Sequence, residues 1–104
     1  MPQFVLTYLG GNPPASPEEA QENMQRFRAW LAELGDAAVS PANPLKGTCT
    51  VAPDGSVTEG GSSGMSGYTI VEAADMDAAL GIAKACPFLD VGGSLEVSEK
   101  IQMS

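Results

Sequence analysis

Tyr68-Thr69-Ile70-Val71-Glu72-Ala73-Ala74-Asp75-Met76-Asp77-Ala78-Ala79-Leu80 is the stretch on which the fold turns. Tyr68 to Glu72 is short, β-branched and aromatic, so it reads as a strand. Asp75 then stands where an N-cap belongs, its carboxylate placed to accept from the first free amides of a helix. Met76, Ala79, Leu80 and Ala83, with Ile82 nearby, give that helix an apolar side from Met76 to about Ala85, where Cys86-Pro87 stops it.

The same strand-then-helix unit occurs earlier. Phe4 to Leu9 (FVLTYL) is a strand closed by Gly10-Gly11-Asn12-Pro13-Pro14. Both of its faces are apolar, Phe4, Leu6 and Tyr8 on one and Val5 and Leu9 on the other, so both require cover. Ser16-Pro17-Glu18-Glu19 opens a helix with a capping serine, a proline at the first helical position and a glutamate three residues on. Its stripe is Ala20, Met24, Phe27, Leu31 and Leu34, and Gly35 suits the residue that ends it. Met24, Phe27 and the flanking Trp30 are read as packing residues.

Between the two units the pattern is weaker. Ala37 to Pro44 is turn-rich, Leu45 to Val51 (LKGTCTV) is the expected third strand, and Ala52-Pro53-Asp54-Gly55 turns into a hairpin partner at Ser56 and Val57. Glu59 to Gly67 (EGGSSGMSG) is a glycine loop with neither the Gly-Lys-Ser/Thr of a Walker A motif nor a GxGxxG opening a helix. Ser94 to Ile101 (SLEVSEKI) alternates as a last strand with one wet face. The order is ferredoxin-like, βαββαβ, an α+β domain spanning residues 1–104 with two helices on one face of an antiparallel sheet. The other face has no cover within the chain, and a second copy is the expected cover.

Thirteen acidic and five basic residues give a net charge of −8. That balance disfavours nucleic acid and anionic membrane as partners. Arg26 and Arg28, set among Glu18, Glu19, Glu22 and Glu33, read as a solvated helix face. No basic leader or long apolar run is present, and Cys49 and Cys86 read as free thiols, so a cytoplasmic location is expected. The chain has no histidine, which removes Ser-His-Asp and Cys-His nucleophile pairs and His-based zinc sites. No metal or cofactor is expected.

Residues Gly67 to Leu80, Ala83-Lys84-Ala85-Cys86-Pro87 and Gly92-Gly93-Ser94-Leu95-Glu96-Val97 resemble the C-terminal half of the YCII-related family, most closely its DGPF-type branch. The helix start at Ser16 and the hairpin at Val51 to Thr58 fall in the matching order. The resemblance implies a bacterial protein and a dimeric α/β barrel, in which the sheets of two protomers face each other. It implies no particular reaction. Glu59-Gly60-Gly61-Ser62 stands where the branch has Asp-Gly-Pro-Phe, and a histidine and aspartate pair proposed for other members has no counterpart here.

The expected site lies beside the glycine loop, with Tyr8, Lys46, Glu59, Ser66 and Tyr68 as polar liners of a small-molecule pocket in a binding or accessory dimer. The alternative is a histidine-free enzyme of isomerase or cofactor-free oxygenase type. In it a buried Glu59 is the base, and Lys46 or a tyrosine stabilises an enolate.

Overall fold

A computed structural model describes residues 1–101. Six strands and two helices follow the chain: β1 (Gln3–Gly10), α1 (Pro17–Leu34), β2 (Ala38–Pro44), β3 (Cys49–Val51), β4 (Val57–Glu59), β5 (Met65–Glu72), α2 (Met76–Lys84) and β6 (Gly93–Glu99). Short 3₁₀ turns at Gly35–Ala37 and Pro87–Val91 follow the helices. β2, β5, β1 and β6 form one antiparallel sheet in that order, and β3 and β4 form a separate hairpin. The α+β, ferredoxin-like class read from the sequence is the one observed. The molecule is a slab 18 Å thick, the depth of one sheet and one helix layer.

Both helix starts form as their caps dictate. The Ser16 hydroxyl accepts from the Glu19 amide at 3.1 Å, and the Asp75 carboxylate accepts from the Ala78 amide at 2.9 Å. Each cap satisfies an amide that the helix cannot satisfy itself.

Paired residues of neighbouring strands share a face. Phe4 pairs with Val71 and Leu6 with Thr69, so β1 and β5 present Phe4, Leu6, Tyr8, Thr69 and Val71 together. All five are buried, and the apolar ones pack with Trp30 of α1 and Ala79 and Ala83 of α2. The opposite parity puts Val5, Thr7, Leu9, Tyr68 and Ile70 on the other face, where they are half-buried. Both helices lie on the first face.

The third strand of the sheet is not where the sequence places it. Ala38–Pro44, expected as turns, is the edge strand β2, and the expected strand Leu45–Val51 is reduced to the three residues of β3 in the hairpin. An edge strand needs amides on one side only, so Pro41 and Pro44 are tolerated there, and its register against β5 shifts twice. β5 also begins earlier than expected, inside the glycine loop. Gly67 explains why: a Cβ at that position would lie 2.9 Å from the Asn43 carbonyl oxygen. Only glycine lets β2 cross so close.

The helix stripes are also only partly as expected. Trp30, read as a flanking residue, is the buried side chain of α1, while Phe27, Leu31 and Leu34 are half-buried and Met24 is 52% exposed. α1 stands off the sheet, and the space beneath it is the cleft described next.

Candidate functional site

The cleft has a volume of about 620 Å³. Met24, Phe27 and Leu31 of α1 form one wall and Pro41 to Pro44 of β2 the facing one. Tyr8 and residues 66–68 of β5 border the base, and Phe88 closes the end at the 3₁₀ turn. Phe88 is seated by glycine: a Cβ on Gly93 would lie 2.1 Å from its ring, so the ring packs closely against bare backbone. Tyr8 meets Phe27 and Phe88 edge-on, with ring centroids 5.9 Å and 5.2 Å apart. Phe27 in turn leans on Trp30 at 5.5 Å. The aromatic rings thus pack against one another in a connected cluster.

Tyr8 is joined to the buried Thr69 and to the Pro41 carbonyl in a directed chain. The Thr69 hydroxyl donates to the Pro41 carbonyl at 2.7 Å, and that carbonyl can only accept. Thr69 has one proton to give, so the 2.5 Å bond between Tyr8 and Thr69 is donated by Tyr8. The chain ties β1 through β5 to β2. Burial pushes the Tyr8 hydroxyl well above its ordinary pKa, with the adjacent Cys86 adding to the effect. Burial likewise raises the Cys86 thiol. Both groups are therefore neutral near neutral pH.

Asn43 fixes the facing wall. Its amide donates to the Ser40 hydroxyl at 2.9 Å and to the Tyr68 carbonyl at 3.2 Å. Ser66 donates to the Tyr8 carbonyl at 3.4 Å.

Of the five residues read as polar liners, Tyr8, Ser66 and Tyr68 border this cleft. Tyr68 does so at its strand position. It pairs with Thr7, one residue out of phase with the Tyr8–Gly67 pair, so its ring belongs to the opposite face. Lys46 and Glu59 do not border the cleft. Lys46 is exposed in the link to the hairpin, and Glu59 is exposed on β4 opposite Cys49. Arg28, Asn43, Met24, Phe27 and Phe88 are cleft residues that sequence reasoning placed elsewhere or passed over. Asn43 sits in the run Pro41-Ala42-Asn43-Pro44, a polar residue between two prolines that reads as a turn in sequence.

A ferredoxin-like α+β sheet with a cleft under its first helix defines the class of architecture. No protein-family model matches the chain, and no curated protein sequence matches it. Its structure is similar to that of 5-chloro-2-hydroxyhydroquinone dehydrochlorinase (TftG) from Burkholderia phenoliruptrix, solved as a complex with 2,5-dihydroxybenzoquinone. The likeness covers 97% of this chain and 95% of that one, with a TM-score of 0.53 and 19% sequence identity. At that identity it shows the fold.

Proposed function

We propose that this chain is a divergent YCII-related domain that works as a homodimer and binds a small molecule in the cleft beneath α1. The observation that carries the reading is the cleft itself. It has the size of a ligand site, walls of Met24, Phe27, Leu31 and Phe88, and a few fixed polar groups at its base. The similar fold of a protein solved with a small quinone in place supports it, as does the family resemblance of the sequence. The half-buried apolar face of Val5, Leu9 and Ile70 supports the dimer, with the sheets of two copies facing each other as in a dimeric α/β barrel. Glu59, the candidate base named from the sequence, lies outside the cleft, which favours binding or accessory work.

The test is a titration with the neutral dye N-phenyl-1-naphthylamine, whose emission rises in apolar surroundings. Saturable binding to the wild type is expected, with loss on Ala20→Trp, which places an indole in the cleft. Equal dye binding by both proteins would refute the site. Light scattering on the same samples reads the dimer.

A further inference from the structure

Among the cleft-lining residues only one is charged, and it is Arg28. None of the thirteen acids of the chain reaches the wall, and of the five bases only this one does. In a chain of net charge −8 that is the reverse of the prevailing balance.

The two arginines of α1 differ in what holds them. Arg26 donates to the Asn23 side-chain oxygen at 2.8 Å and faces the Asp90 carboxylate at 3.5 Å. It also has Glu22 one turn before it. Arg28 has Met24, Gln25, Leu31 and Ala32 at the helical positions three and four away, with no acid among them. Among the described residues it has no carboxylate partner, and it is an exposed residue on the border of a mostly apolar cleft.

We infer that the cleft selects an aromatic anion, a flat apolar ring system bearing one carboxylate or phenolate, with Arg28 as the residue that determines this specificity. The inference rests on the proposed small-molecule site and names its ligand class. The ring body matches the apolar walls, where Phe27, Phe88 and the Met24 thioether offer ring edges and a polarisable sulfur. The anion matches a planar guanidinium whose donors fit two oxygens at once.

The test compares 2-naphthoate with its neutral counterpart 2-naphthamide by calorimetric titration. Wild-type protein should bind the acid about fivefold or more tightly than the amide, the scale of a partly exposed charge-assisted pair. Arg28→Gln should abolish that preference, and Arg28→Lys should restore part of it. Arg28 is exposed, so the variants fold, and far-UV circular dichroism checks this. Equal affinity of the wild type for both probes, or a preference that survives Arg28→Gln, overturns the inference while the binding site stands. Failure of both probes to bind overturns the site as well and leaves the cleft to another occupant, such as the hairpin of a second copy.

Discussion

The two strand-then-helix halves of the molecule are built on the same plan and packed in opposite ways. α2 is nine residues long, and the side chains it buries are Ala79 and Ala83. Methyl groups at that i, i+4 spacing let its backbone settle close to β1 and β6. α1 is twice as long and carries Met24, Phe27, Trp30 and Leu31 towards the sheet. Large side chains hold it away, and Trp30 joins it to the other half: the indole N–H donates to the Ile82 carbonyl of α2 at 3.3 Å. The lesson is a division of labour. The close-packed half supplies stability, and the propped half supplies space.

That contrast can be broken at its joint. Trp30→Ala should cost about 3–5 kcal/mol, the range for removing a large buried aromatic, and chemical denaturation would measure it. A loss under about 1 kcal/mol would mean that α1 is not anchored through Trp30. The tight half should resist enlargement: Ala79→Leu, at a fully buried position, should destabilise by about 1–3 kcal/mol through overpacking.

Tyr8→Phe removes the donor to Thr69 and should cost about 1 kcal/mol near neutral pH. Its pH dependence sharpens the assignment. The folded chain holds the Tyr8 proton more tightly than the unfolded chain, whose tyrosine titrates near the ordinary value of 10.0. The stabilisation is therefore complete below that value and declines as pH rises above it. The variant should show a shallower alkaline loss of stability than the wild type. Met24→Ala should have the smallest effect on folding, under about 0.5 kcal/mol, because the side chain is half out in water. It should nonetheless weaken dye binding, and a stability loss with intact binding would place Met24 in the core instead.

The caps made both helices legible from sequence, because Ser16 and Asp75 act on amides within three residues of themselves. The paired faces of β1 were legible for the same local reason. β2 was not, since Pro41 and Pro44 read as turn residues unless the strand is known to lie at an edge. The cleft was hidden more deeply. Periodicity tells which side of α1 is apolar and says nothing of how far that side stands from the sheet. Arg28 read as one charge on a wet face for this reason, and so did Met24 and Phe27 as ordinary packing. Tyr8 and Ser66 came into view because both sit near strand ends, although the bond that orients Tyr8 spans 61 positions of sequence.

The prolines of β2 have one more effect, on how copies of this chain can assemble. A sheet grows sideways when the open amides of its border strand find another strand. On one border two of the seven residues of β2 have no amide hydrogen to offer, and on the other β6 carries Glu96 and Glu99. Both borders thus discourage fibre-like extension by edge-to-edge pairing.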